Sequence, residues 1–448
     1  MLLWTDILVW ILIGVIILWG YQLLRSKASR GKWYAIFRSK IAMASAVVLS
    51  FYLLFALLDS VHFKVTQQTE KELFRKGEII SLLDLAFGHR KAFLERTYSA
   101  PFATHEYTKS IIVGEDGLIR QQNLPLKYVS AKEGSQKSFI AIVAGVLISA
   151  TLVFLHLLWT KEESLIERAT KVLKGRTKLP WRTGYMMLTL CIVLLTWLYV
   201  MSFSYHVLGT DKVGGDVFYA SLKSIRTGVL IGILTTLVTL PLAIFLGVSA
   251  GYFRGWVDDL IQYLYTTLSS IPGVLLIAAG VLMMQVMMDN HPDWFASTVE
   301  RSDLRLLFLI FILGLTSWTG LCRLLRAETL RISQMDYVTA AKAFGVSKWR
   351  IMYRHIVPNL THIILISIVL DFSGLVLAEA VLSYVGVGVD PTMYSWGNMI
   401  NQARLEMARE PMVWWSLFSS FSFMFVLVLS ANLLSDRVQY VLDPRNER

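Results

Sequence analysis

Two carboxylates and one polar insert are the residues of this chain whose types and spacing invite chemistry. Asp371 and Glu379 stand inside an apolar run from 361 to 387. A charge at membrane depth is costly, so it marks a proton or ion path, the lining of a polar route, or a partner on a neighbouring span. Upstream lies "DYVTAAKAFGVSKWRIMYRHIVPN", Asp336 to Asn359, which carries Lys342, Lys348, Arg350, Arg354 and His355. Tyr337, Ala340, Ala341 and Phe344 have the i, i+3, i+4, i+7 spacing of one helix face, and Trp349, Met352, Tyr353 and Ile356 repeat it. Gly345, between the two sets, predicts a left-handed residue that ends the first helix. Ser347 is placed to cap the second helix. Ser333 and Asp336 have capping-box spacing for the first, and Pro358 predicts where the second ends. None of this is catalytic chemistry. It is contact chemistry, either an amphipathic hairpin at lipid headgroups or a short helix projected by a sharp corner to dock a soluble partner.

The elements that would position these residues are membrane spans. Of 448 residues, 55% are hydrophobic and 17% charged, with a mean hydropathy of +0.54; a soluble chain carries about a quarter charged residues. The composition predicts an all-α integral membrane protein. Nine apolar runs reach the roughly 20 residues a span requires: near 2–24, 41–61, 138–159, 185–205, 227–252, 262–288, 304–322, 361–387 and 413–434. The net charge of +11 fits Lys and Arg at inner span ends and anionic lipid better than nucleic acid. Basic loops at 25–40 and 161–182 fix the phase. By alternation 62–137, 206–226, 289–303 and 388–412 are predicted outside, with 253–261, 323–360 and the C-terminal tail in the cytoplasm. The run at 2–24 lacks a basic leader and reads as an uncleaved span with an outer N-terminus.

Inside the spans, Gly228 and Gly232, and Gly247 and Gly251, have the small-residue spacing of close helix contacts. Pro241 and "SSIPG" (Ser269 to Gly273) predict kinks or breaks. Ser269 and Pro272 therefore join Asp371 and Glu379 as candidates for a polar intramembrane route. The segment 62–137 accommodates a small mixed module with turn signals such as "GEDG". Its dispersed His62, His89 and His105 predict surface positions and no metal site. Cys191 and Cys322 show neither disulfide nor metal spacing. No G-x-x-x-x-G-K-[ST] loop occurs, so the chain is not expected to hydrolyse ATP.

"TAAKAFGVSKWRIMYRHIVPN" resembles the cytoplasmic EAA loop of ABC importer permeases, in particular the second-permease type of the dipeptide/oligopeptide/nickel group. Ala340, Ala341, Gly345, Ile356 and Pro358 fit that pattern, and Thr339 replaces its Glu. "HVLGTDKVGGDVF" (206–218) is similar to the group's outer-face sequence, with Gly215 where Arg is common. "SAGYFRGWVDD" (249–259) is similar to its first cytoplasmic turn, "LAEAVLSYVGVGV" and "SWGNMI" (377–400) to its late span and outer loop, and "LDPR" (442–445) to its tail. "KWYAIFRSKIAM" (32–43) also looks like the usual lead into its first span, yet 62–204 intervenes with two further spans.

The resemblance implies a permease domain over 205–445, with a coupling loop at 331–359, behind an extension at 1–204 of about four spans and an outer segment at 62–137. It implies a non-catalytic subunit of the bacterial inner membrane, importing di- or oligopeptides by alternating access. Separate ATPase subunits would bind ATP and Mg and dock on Tyr337, Thr339, Ala340, Ala341, Phe344, Gly345 and Pro358. A second permease chain and an extracytoplasmic solute-binding protein would complete the complex, while this chain itself would hold no cofactor or metal. Two other readings remain in view. A membrane sensor would use 62–137 as its ligand domain and needs an output module. An ion-coupled carrier would use Asp371 and Glu379 and leaves the ordered motifs unexplained.

Overall fold

The computed structural model describes residues 3–25, 27–65, 77–92, 94–113, 119–129, 134–159, 165–295 and 297–442. The "GEDG" turn and residues 443–445 of the "LDPR" tail lie outside the described residues. Helices dominate because a backbone in hydrocarbon must satisfy its polar groups within its own segment.

The chain opens with α1 (Trp4–Arg25), α2 (Lys27–Phe37) and α3 (Lys40–Asp59). A mixed module follows, in which β1 (His62–Lys64) pairs antiparallel with β2 (Ile79–Ser81), His62 opposite Ser81. After α4 (Leu82–Ala86) and α5 (Gly88–Ala92), β3 (Ser110–Val113) pairs antiparallel with β4 (Ile119–Gln122). Then come α6 (Gly134–Trp159), α7 (Leu165–Leu173), α8 (Trp181–Met201), α9 (Val217–Phe253), α10 (Trp256–Ser270), α11 (Gly273–Asp289) and α12 (Thr298–Ile332). Helices α13 (Asp336–Ala343), α14 (Lys348–Ile351), α15 (Val357–Val385), α16 (Trp396–Glu406) and α17 (Trp415–Leu442) complete the order.

Seven helices among the described residues are long and apolar enough to cross a membrane, and α10 with α11 makes an eighth if that bent pair is one span. The fold is therefore an all-α polytopic membrane protein with a small mixed insertion, close to the nine spans predicted. Helix α1 has its apolar stretch over Trp4–Leu18. The run predicted at 262–288 is broken at Ile271 and Pro272, with 88° between α10 and α11. By contrast α9 runs uninterrupted through Pro241. Threonine hydroxyls in the turns before the proline bond back to carbonyls of their own helix, Thr236 to Gly232 at 2.7 Å and Thr239 to Thr235 at 3.0 Å.

The chain divides into two compact units, Met1–Thr227 with Tyr394–Leu434 and Gly228–Met393 with Ser435–Arg448. In the first unit, a Cβ on Gly145 of α6 would lie 2.8 Å from the Val193 backbone of α8. Described residues within 62–129 pack with 205–216 and 394–414. The Glu95 amide donates to the Gly214 carbonyl at 3.1 Å, Thr210 to Ser99 at 3.1 Å, and the Tyr107 hydroxyl to Met412 at 3.1 Å. Gly214 has φ +77°, and a Cβ there would fall 1.9 Å from the Glu95 oxygen, so both conformation and space exclude a side chain.

The second unit is knit by small residues, since lipid supplies no hydrophobic drive for helices to associate. A Cβ on Gly247 would approach the Cys322 carbonyl to 2.8 Å, one on Gly251 the Arg326 carbonyl to 2.7 Å, and one on Gly232 the Phe372 ring to 2.5 Å. These are the packing roles their spacing predicts. Around them Ala243, Val248, Leu321, Leu325, Ile356 and Leu360 form a buried core. The segments 253–261 and 323–360 meet here, with Arg326 donating to Asp258 at 2.7 Å and Arg254 to Ser333 at 3.2 Å. Segments 289–303 and 388–393 meet as well, Ser302 bonding Thr392 at 2.9 Å.

Candidate functional site

The polar insert folds as a helix, a corner and a second helix. Gly345 has φ +72° and ends α13, while the Val346 amide reaches back to the Ala341 carbonyl at 3.1 Å. That left-handed turn is where glycine belongs. One side of the loop is anchored, with Val338, Ala341, Ile351, Met352 and Ile356 buried in the second unit's core. The other side is open: Phe344 is 86%, Tyr353 80% and Trp349 59% exposed. The predicted apolar face is thus split. Ala341 turns inward beside Val338, whereas Tyr337, Ala340 and Phe344 turn outward; likewise Met352 and Ile356 face the core and Trp349 and Tyr353 do not. A period of 3.6 residues identifies an apolar stripe without saying which edge of it is covered.

Three predicted details of the loop are corrected. Pro358 does not end the second helix. It lies in the first turn of α15, behind a π turn at Met352–Ile356, and Lys348–Val385 forms one run of 38 residues. Proline has no N–H with which to continue the α ladder, and the run changes to π spacing directly before it, the Val357 N–H bonding the Met352 carbonyl. Ser333 and Asp336 form no capping box. The N-cap is Met335, and the Ser333 hydroxyl donates to Leu330 at 2.9 Å. Ser347 occupies the N-cap of α14 without a side-chain cap bond.

Around the loop, Trp349 stacks on Phe245 at 6.2 Å and meets Phe253 edge-on at 5.7 Å. Lys342 lies 5.0 Å over the Tyr252 ring and Lys348 5.8 Å over Phe253, cation–π contacts that keep both charges at the surface. Asn359 donates to the Tyr337 hydroxyl at 3.2 Å and to the His355 carbonyl at 2.7 Å. Thr339 bonds back to the Met335 carbonyl at 3.3 Å, so its hydroxyl serves its own helix.

The candidate intramembrane residues do not converge on one site. Glu379 is buried on α15 and accepts from Ser383 at 2.7 Å. Asp371 is part-buried two turns earlier. Ser269, near the break between α10 and α11, accepts from Arg323 at 2.9 Å, and Pro272 N-caps α11.

An extended polar constellation among the described residues lies in the first unit, and no sequence motif marks it. Lys223, near the start of α9, reaches Asp84 at 2.7 Å and Asp59 at 3.4 Å. The Tyr219 hydroxyl donates to Asp84 at 2.6 Å, and Ser81 to Asp59 at 2.6 Å. Three residues on, Arg226 grips Asp6 and Thr5, each at 2.8 Å, and His62 bonds the other Asp6 oxygen at 2.7 Å. A neighbouring group joins Arg90, His206 and Asp216, with His206 Nδ1 at 2.7 Å from Asp216. Burial opposes ionisation of Asp84, yet the Lys223 and Lys91 ammoniums and the bonds from Lys223 and Tyr219 hold its carboxyl down at about 2. Burial, then the Arg90 charge, pushes the His89 imidazole down to about 4.

His62 and His89 are therefore not the surface residues predicted: His62 is paired with Asp6, and His89 stacks on Phe203 at 4.1 Å. His105 is exposed. The missed signal was charge sign, since Asp6 stands within one apolar run and Lys223 with Arg226 at the start of another. No group of three or more His, Cys, Asp or Glu among the described residues could hold a metal.

Residues 243–448 match the sequence profile described as "Binding-protein-dependent transport system inner membrane component". The glutathione transport system permease protein of Pectobacterium atrosepticum is 32% identical over 242 residues, 54% of this chain and 73% of that one. The dipeptide transport system permease protein of Bacillus subtilis is 28% identical over 54% of this chain and 70% of its own. For the oligopeptide transport system permease protein of Mycobacterium tuberculosis H37Rv the figures are 28%, 53% and 76%. Identity of this order across nearly three quarters of a curated permease, on a polytopic helical fold, settles kinship: the chain belongs to the inner membrane components of binding-protein-dependent transport systems.

Proposed function

We propose that this chain is the permease subunit of an ATP-driven importer and that its loop Asp336–Pro358 is where a separate ATPase subunit docks. One observation carries the reading. Phe344, Trp349 and Tyr353 stand open on a loop whose opposite side is locked in the core. Exposed aromatics held rigidly are the side chains that contribute most when a partner covers them.

In the mechanism, ATP binding draws the partner ATPases together, and the loop carries that movement into α15, changing which side the polar route faces. Tyr337, Ala340 and Phe344 provide the contact surface, Ala341 holds α13 to the core, and Gly345 sets the corner. Thr339 makes the contact less ionic than a Glu would. Ser269, Pro272, Asp371 and Glu379, which do not converge on one site, serve as separate polar positions along the spans. ATP and Mg bind on the partner, since this chain carries no phosphate-binding loop. A second permease chain and a solute-binding protein complete the complex. Residues 205–445 form the permease proper, 1–204 an extension, and the loop and C-terminus lie in the cytoplasm of a bacterial inner membrane with the N-terminus outside. The relatives transport glutathione, dipeptides and oligopeptides, so short peptides are the proposed cargo.

The test is peptide uptake by the complex reconstituted in proteoliposomes. Nothing lies within 4 Å of a Cβ built on Gly345, so only its φ restricts it. Gly345→Val forces a β-branched residue into the left-handed region and should abolish ATP-driven uptake while membrane insertion persists. Gly345→Asn, which tolerates that region, should retain most of it. Full uptake by the valine variant would overturn the docking assignment.

A further inference from the structure

A basic cavity of about 360 Å³ opens in the first unit at the ends of α6 and α8 far from the mixed module. Arg168, Lys171, Arg176 and Lys178 line it, together with Trp181 and Tyr185, and no described residue on its wall is a carboxylate. We propose that it binds the phosphate of an anionic phospholipid headgroup, a site that goes beyond the transport reading and does not depend on it.

Three observations converge. The charge is complementary: four cations surround one opening, and cavities of this kind between membrane helices receive anionic headgroups. The depth is right as well. Helices α6 and α8 are of membrane length, and the cavity sits where they leave the apolar zone, with Trp181 and Tyr185 at the level where aromatic side chains favour the interface. Tyr185 is fixed by His156 Nδ1 at 2.6 Å, and the His156 and Trp181 rings lie 4.6 Å apart.

The third observation is α7. Its sequence, LIERATKVL, places Arg168 and Lys171 on the cavity side, while Ile166 and Leu173 are 80% and 70% exposed. A short helix with cations on one face and bare aliphatics on the other lies in the membrane surface, its apolar side in the acyl boundary. That arrangement favours a lipid over a free anion, because the headgroup would meet the cations while its own chains meet Ile166 and Leu173. Arg168 also donates to the Leu157 carbonyl at 2.8 Å, which fixes one cation, and Arg176 and Lys178 are exposed at the rim.

The experiment is native mass spectrometry of the full chain in detergent, with dioleoylphosphatidylglycerol, dioleoylphosphatidylcholine or inorganic phosphate added. The wild-type chain should retain phosphatidylglycerol at least tenfold better than phosphatidylcholine, and equimolar phosphate should not displace it. Arg176→Gln with Lys178→Gln should weaken retention about thirtyfold, from the usual worth of two basic residues at an anionic membrane surface. Arg176→Lys with Lys178→Arg should keep it. A photoreactive phosphatidylglycerol on the unaltered chain should label residues 165–182, a readout that requires no variant to fold. Equal retention of both lipids, displacement by phosphate, an unaffected glutamine variant, or labelling confined to other segments would each overturn the proposal.

Discussion

Around Lys223, Arg226 and Arg90 the first unit meets its cations with carboxylates brought from distant parts of the chain, Asp6, Asp59, Asp84 and Asp216. The loop Asp336–Asn359 of the second unit treats charge differently. Lys342 and Lys348 lie over aromatic rings, and Phe344, Trp349 and Tyr353 remain open. In the first region the polar groups answer one another, and their removal should register in folding. In the second, Phe344 and Tyr353 stay largely exposed while Trp349 is half-held by Phe245 and Phe253, and removal of the exposed rings should register in association. A polar segment of a membrane protein can thus be a fastening or a contact surface, and the difference lies in whether its expensive groups are already satisfied.

The largest effect expected is in the fastening. Asp84→Ala leaves Lys223 facing Asp59 alone, and breaking a buried pair costs about 3 kcal/mol or more. Thermal unfolding in detergent should shift down accordingly; an unchanged midpoint would mean that these pairs do not fasten the fold. Phe344→Ala comes next. Association with the ATPase subunit should weaken by about 2 kcal/mol, the scale of a central interface aromatic, while the unfolding midpoint stays within about 0.5 kcal/mol of wild type. If that variant melted as early as Asp84→Ala, the loop would be structural after all.

A pH titration gives a smaller effect and sharpens the fastening. The His89 imidazole lies below its ordinary value, at about 4, so the fold favours it neutral. Its stabilising contribution is complete above pH 6.5 and is lost as pH falls toward 4. Asp84, held at about 2, contributes fully above its ordinary 3.8 and loses that contribution between there and about 2. His89→Gln should flatten the upper limb of the acid-unfolding curve and leave the lower one, and a curve unaltered between pH 6.5 and 4 would remove His89 from the account. The smallest effect belongs to Thr339→Glu. A surface charge is worth roughly 0.2–1 kcal/mol, so docking should become measurably salt-dependent with little gain in strength.

The loop was largely legible in the sequence because its determinants are local. Gly345 between two apolar stripes marks the corner, and the stripes mark the helices. Pro358 was misread because proline signals both the end of one helix and the first turn of the next, and only the π turn before it decides. Span positions were legible from hydropathy, and the break at Pro272 from its flanking "SSIPG". The fastening was not legible, since Asp84 and Lys223, like Asp6 and Arg226, meet only once several helices have folded between them. Charges of opposite sign at the ends of different apolar runs were the available hint, and they do not say which pair meets.

The run Lys348–Val385 has a mechanical consequence. At 1.5 Å per residue its 38 residues extend about 57 Å, longer than the hydrocarbon is thick. It is a rod with one joint, the π turn at Met352–Ile356, and both end residues of that joint are buried. The joint is held on its core side and open on the other, where Tyr353 is 80% exposed, and under the proposed docking a displacement at Trp349 would pass through it as a swing of the whole rod. A tilt of only about 5° about the loop end would carry the far end roughly 5 Å sideways over that length, and Glu379 rides near that end.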